Sequence, residues 1–265
     1  MEVIVSALAY AILFVVGILA GGLGGLIGIG GCVLMMPTVR FGFNFSPALA
    51  VGTTLTAVVF TAASGAYQHW KLGNVDWQSV KYIAPAGILG VIVGSVVFYY
   101  ISSYGKVIDL IVGLAFIWAA ARMVYEGFFQ RKMPEIAGDK IVGSNATKAG
   151  IGGGVGILTG IVGLGGGYAL VPSFIYITKS PLRIAVGSSL ASFVWFALVG
   201  AAIKYVEGFT DLVAALVMGV GAASGAILGA RLMSRVKPAT LKAIFGIIFL
   251  YVSLKYILLF WNIQI

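Results

Sequence analysis

The chain has 265 residues, 60% of them hydrophobic and only 9% charged, with a mean hydropathy of +1.07. A soluble domain carries about a quarter charged residues, so the composition excludes one and predicts a polytopic membrane protein with room for roughly eight to ten spans of about 20 residues. The net charge of +9 does not mark a nucleic-acid binder, because the basic residues are scattered at span ends, where the positive-inside rule puts them.

One cysteine, Cys32, excludes an internal disulfide and a multi-thiolate metal site, and reads as a small buried residue. The start, Met1-Glu2-Val-Ile-Val, lacks a basic n-region, so the first apolar segment is expected to stay as a span. Residues 3–43 are almost continuously apolar, with Arg40 the only charge. As one helix they would reach about 60 Å, twice the hydrocarbon core. They must fold back, and the run Gly21-Gly-Leu-Gly-Gly-Leu-Ile-Gly-Ile-Gly-Gly31, closed by Pro37, is the place. Spans follow at about 47–69, 80–101 and 107–126. Residues 127–148, with Arg131, Lys132, Pro134, Glu135, Asp139 and Lys140, form the one long polar stretch and read as the linker.

The second half repeats this plan. A glycine segment at about 149–178 is followed by spans near 183–205, 212–233 and 239–261. Aligned on Pro37 and Pro172 the offset is 135 residues, and Gly21, Gly25, Gly28, Gly30 and Gly31 fall on Gly156, Gly160, Gly163, Gly165 and Gly166. Val51-Gly-Thr-Thr-Leu55 falls on Val186-Gly-Ser-Ser-Leu190, and Asp76 falls on Asp211. The chain is therefore expected to be a single all-α membrane domain over 1–265. Repeat one covers 3–126, a linker 127–148 and repeat two 149–262, in the manner of transporter repeats. Charge decides their orientation. If each glycine segment enters and leaves on one side, 13 of the 17 Lys and Arg residues lie on one face; if each is a single span they divide 9 to 8. The first split is what the positive-inside rule expects. The expected fold is thus two inverted repeats, each a Gly-rich broken helix or re-entrant hairpin plus three transmembrane helices, with both termini outside and the linker cytoplasmic. The second segment has about 30 residues for two passes, so it is expected to re-enter rather than span twice.

Two readings of the glycines compete. Gly21/Gly25, Gly24/Gly28 and Gly152/Gly156/Gly160 have GxxxG spacing, which brings helices close. That does not explain Gly28-x-Gly-Gly31 or Gly163-x-Gly-Gly-Gly167, since clustered glycines weaken a helix by about 1 kcal/mol each. The sharper reading is a helix break near mid-membrane. The helix that starts after it points free N–H groups and a positive dipole end at a cavity, which makes an anion site without a buried cation. Candidate substrate contacts are Gly28, Gly30, Gly31, Gly163, Gly165, Gly166 and Gly167. The matched hydroxyl pairs Thr53-Thr54 and Ser188-Ser189 join them, with local back-bonding to an i−4 carbonyl as the alternative for the hydroxyls. His69 and Lys204, also matched, either gate or steer anions or snorkel at an interface, and snorkelling is also the expectation for Arg122 and Arg231. All acids fall at or near span ends, which suits an anionic substrate better than a cationic one. Neither glycine run has G-x-G-x-x-G spacing or a following Gly-Lys-Ser/Thr, so nucleotide binding is not expected.

The duplicated glycine segments, the proline closing each one and the 4 + 4 block pattern resemble the TauE/SafE-type sulfite exporter family across essentially the whole chain. The resemblance implies a plasma-membrane transporter of sulfur-containing or organic anions such as sulfite or sulfoacetate. It assigns Gly28, Gly30, Gly31, Pro37, Gly163, Gly165, Gly166 and Pro172 as motif residues. One departure is internal: Cys32 stands where the second repeat has Gly167, so the two breaks are not equivalent. The expected function is secondary transport, as an exporter, of a small anion held near the bilayer midplane, with the lipid bilayer as the surroundings and no cofactor or metal. A passive anion channel and a non-transporting scaffold are the alternatives. An intramembrane enzyme lacks its parts, with one His, one Cys, no HExxH pair and no paired acids at span centres. The anion, its coupling ion and the oligomeric state are not legible.

Overall fold

The computed structural model describes residues 7–28, 30–129, 138–233 and 238–261, without the side chains of 119, 238–242, 244 and 245. The expected repeat ends at 3 and 262, the linker residues Arg131, Lys132, Pro134 and Glu135, and the basic residues Arg235 and Lys237 lie outside the described residues. Apolar runs long enough to cross a bilayer are helical throughout: α1 (Ala7–Ile27), α3 (Pro47–Lys71), α4 (Trp77–Ile101), α5 (Gly105–Phe128), α8 (Leu182–Val206) and α9 (Leu212–Leu232) are each long and apolar enough to span. Between and after them lie α2 (Cys32–Pro37), which continues as a π-helical turn over Thr38–Gly42, then α6 (Asn145–Val162), α7 (Gly167–Tyr176) and α10 (Pro238–Phe260). No strand occurs among the described residues.

The helix starts follow from local chemistry. Ser46 accepts the Leu49 amide at 3.3 Å ahead of Pro47, and Asp76 and Asp211 cap α4 and α9 by accepting the amides of Gln78 and Ala214 at 3.1 and 2.9 Å.

Both glycine segments fold back, each as a long limb and a short one. A β-carbon at Gly31 would lie 2.5 Å from the Ala20 carbonyl oxygen, so the chain has turned and runs along α1. In the second segment the Val142 amide, just ahead of α6, donates to Ser180 Oγ beyond α7 at 3.2 Å, so entry and exit lie at the same end. At 1.5 Å per residue the short limbs are about 15 Å long, half the hydrocarbon core. The first segment thus falls short of a second full pass just as the second does.

The GxxxG spacing is used as well, and separately from the breaks. Gly17, Gly21 and Gly25 of α1 lie on the backbone of Met218, Ala222 and Ala226 of α9. Gly152, Gly156 and Gly160 of α6 lie on Ile83, Gly87 and Val91 of α4. Every residue of the first set is 135 positions from its counterpart in the second. The order is the same along both partners, so each pair runs parallel. α5 and α10 run antiparallel, with Gly113 against Ile257 and Gly127 against Ala243. Close backbone approach is what glycine permits between membrane helices.

The outward surface is apolar, with Leu8, Ile12, Val15 and Leu19 on α1 and Leu89, Ile92, Val93 and Val96 on α4 all exposed. Several exposed aromatics sit at helix ends, among them Trp70 and Trp77 at one end of α3 and α4 and Tyr99, Tyr100 and Tyr104 at the other end of α4. That is the distribution of a lipid-facing band with interfacial rings.

Candidate functional site

The two breaks meet at the centre of the molecule. Gly28 and Gly163 end α1 and α6 with φ of 79° and 67°, a left-handed turn that costs any residue with a β-carbon about 1–2 kcal/mol. Gly28 rests on Val171 and Val186, and Gly163 rests on Val51, the 135-residue counterpart of Val186. A β-carbon at Gly30 would lie 3.3 Å from the Cα of Gly165, its own counterpart. Past this point the breaks diverge. Gly30 and Gly31 keep positive φ at 84° and 80°, whereas Gly166 is right-handed at −54° and starts α7 directly. Cys32, fully buried, accepts the Gly165 amide on Sγ at 2.9 Å, a bond that Gly167 cannot return.

The expected hydroxyls join helices through hydrogen bonds. Thr53 Oγ1 accepts the Asp211 amide at 2.9 Å, and Ser188 Oγ accepts the Asp76 amide at 2.9 Å. Thr54 donates to the Ala50 carbonyl and Ser189 to the Val186 carbonyl. Asp76 is a junction: besides capping α4 it receives the Ser79 hydroxyl at 2.5 Å and the Ile141 amide at 2.9 Å, which fastens the end of the linker. Burial raises its pKa, but the bonds from Ser79 and Ile141 and the Lys148 charge outweigh burial and leave it below the ordinary aspartate value.

His69 and Lys204 are fully buried, so they do not snorkel. His69 Nε2 lies 2.8 Å from the Gly25 carbonyl, one turn ahead of the first break. Lys204 Nζ sits 3.6 Å from the Phe98 ring centroid and 3.3 Å from Glu207.

A partly open cavity, about 470 Å³ with the solvent at its mouth included, lies on the linker side of the second break. Gly167, Tyr168, Val171 and Pro172 of α7 form one wall, and Arg122, Met123 and Glu126 of α5 another. A smaller, partly open space shares Ile27, Val33, Met123 and Phe249 with it and reaches Gly31 of the first break. Arg122 does not reach for an interface. Its Nε donates to Glu126 at 2.6 Å and its guanidinium lies 4.1 Å from the Tyr176 ring centroid, while Tyr176 also donates to Glu126 at 3.0 Å. The sequence reading takes Arg122 only as an interfacial residue and does not single out Tyr168 or Tyr176. The available signal was asymmetry: Arg122, Glu126 and Tyr168 fall on Ile257, Trp261 and Val33, so the repeat loses its match where charge enters.

The family model for the sulfite exporter TauE/SafE matches residues 13–256. The chain belongs to the TauE/SafE sulfite exporter family. Among the relatives of this TauE/SafE chain is the probable membrane transporter protein YunE of Bacillus subtilis, 26% identical over 94% of this chain and 98% of that protein. A probable membrane transporter protein of Xylella fastidiosa is 30% identical over 89% and 90%. The probable membrane transporter protein MamO of Paramagnetospirillum magneticum is 26% identical over 93% of this chain, which corresponds to 45% of that longer protein. No solved structure matches the chain. The family is one of membrane transporters, and this TauE/SafE member carries the multiple apolar helices that such a protein needs.

Proposed function

We propose that the chain is a secondary transporter in the plasma membrane that exports small sulfur-containing or organic anions of the sulfite kind, with the substrate held near the bilayer midplane at the glycine breaks. The observation that carries this reading is the central contact of Gly30 with Gly165. It leaves two interrupted helices facing each other inside the protein, where irregular backbone belongs only if it is buried or lines a cavity. In this reading the breaks at Gly28, Gly30 and Gly31 and at Gly163, Gly165, Gly166 and Gly167 supply backbone donors. Thr53, Thr54, Ser188 and Ser189 act alongside them by fixing α3 and α8, and His69 and Lys204 set how each end opens. The reciprocal contacts at an offset of 135 residues support two inverted repeats that rock against each other to expose the site alternately. Purified protein in proteoliposomes should give saturable flux of sulfite or sulfoacetate. Flux that rises linearly without limit would favour a channel, and absence of flux for every small anion tried would end the reading.

A further inference from the structure

We propose that the anion seat is one-sided: it is the cavity on the linker side of the second break, where Arg122 and Tyr168 bind the substrate and Glu126 holds the place that the substrate takes. This rests on the transporter reading and assigns its site.

Three observations converge there. Tyr168, 6% exposed, lines the cavity, and its hydroxyl is buried with no hydrogen-bond partner. Arg122 Nη2 is likewise buried without a partner, although Nε of the same guanidinium is paired with Glu126. Buried donors of this kind are costly when left unmade, and a site that keeps two of them on facing walls of one cavity gains when a ligand supplies acceptors. The third is backbone: α7 begins at Gly167, on the wall that carries Tyr168, with its positive dipole end at the cavity. A tetrahedral or pyramidal oxyanion has the oxygens to meet all three, and the planar fork of Arg122 suits two of them at once.

Glu126 explains how the seat stays filled when empty of substrate. Its carboxylate occupies Arg122 from the same helix, four residues on, and is braced by the Tyr176 hydroxyl. An incoming oxyanion and this carboxylate compete for one guanidinium. Glu126 therefore sets the affinity, weakening binding so that release remains possible. The first break has no such arrangement, since Val33 and Ile257 stand in the matched places.

The test is sulfite and sulfoacetate binding, read as a thermal shift of purified protein, together with saturable flux in proteoliposomes. Glu126→Gln should tighten binding by about 10-fold or more, the usual worth of a hydrogen bond to a charged group. Tyr168→Phe should weaken it by about 3- to 10-fold. Arg122→Gln should remove it. Because that variant leaves Glu126 unpaired and can fail to fold, Arg122→Gln/Glu126→Gln, which carries no unpaired charge, is the paired control and should also lose binding while melting near the wild type. Wild-type binding and flux with all four variants unchanged would overturn the seat and leave the transporter reading standing. No anion binding or flux by the wild type would overturn both.

Discussion

At the scale of single residues the hydroxyl and carboxyl groups at the helix ends do structural work that their sequence positions conceal. Ser188 and Thr53 each accept the backbone amide of a capping aspartate on a helix far away in sequence, separated by 112 and 158 residues. A matched Ser/Thr pair is visible in the chain, but the donor it meets is not, because nothing local specifies a partner so distant. Asp76 shows the energetic side. Its carboxylate is stabilised in the folded state, so the pKa lies below the ordinary value of 3.8. The stability this group contributes is fully present above that value and is lost as pH falls through the lower folded one. Asp76→Asn should therefore lower the melting temperature in detergent at neutral pH. The loss corresponds to about 1.5–3 kcal/mol for hydrogen bonds to a charged group. The gap to the wild type should close in acid below pH 3.8; a gap that stays constant down to that range would contradict the assignment.

At the scale of elements, the glycines divide into two populations that composition alone merges. Those at i, i+4 spacing let α1 and α6 lie against α9 and α4, while those clustered at Gly28–Gly31 and Gly163–Gly166 turn the chain back. Gly154 and Gly156 on α6 separate packing from propensity. A β-carbon at Gly154 meets nothing within 4 Å, whereas one at Gly156 would overlap the Gly87 carbonyl. Gly154→Ala should leave thermal unfolding unchanged or improve it, and Gly156→Ala should destabilise by about 1–3 kcal/mol. Equal effects would mean that the α4–α6 crossing is not set by glycine. Five of the six single spans, all but the one near 239–261, and both turning points were readable in advance, because hydropathy marks a membrane helix and clustered glycine marks where one cannot continue. The cavity was not. Arg122 and Glu126 sit near a span end, where snorkelling is the ordinary fate of charge, and only the fold of α7 against α5 brings Tyr168 and Tyr176 to them. His69 and Lys204 were named, but their burial was hidden for the same reason, since Gly25 and Phe98 reach them from other helices.

At the scale of the whole molecule, the charge count and the helix directions bear on the same question of sidedness. Asp76, Ile141 and Ser180 place the starts of α4 and α6 and the end of α7 at the linker end. The end of the first short limb lies at the opposite end, where Arg40 grips Asp109 near the start of α5 through two hydrogen bonds at 3.0 and 2.7 Å. The sequence reading puts 13 of 17 basic residues at the linker end, and we propose on the positive-inside rule that this end is the cytoplasmic one. A reporter enzyme active only outside the cytoplasm, fused after Ile265, should be active; activity from a cytoplasm-only reporter instead would reverse the topology.

The parallel pairing of α1 with α9 also has a consequence for biosynthesis. At about 5–20 residues per second a ribosome needs roughly 10–40 s to pass from Ile27 to Leu212. Until then the glycine face of α1, shaped for Met218, Ala222 and Ala226, is without its own partner helix. α6 has no such wait, because α4 is already made when it emerges. The two equivalent crossings are thus completed at very different times, and α1 waits for its partner far longer than α6 does.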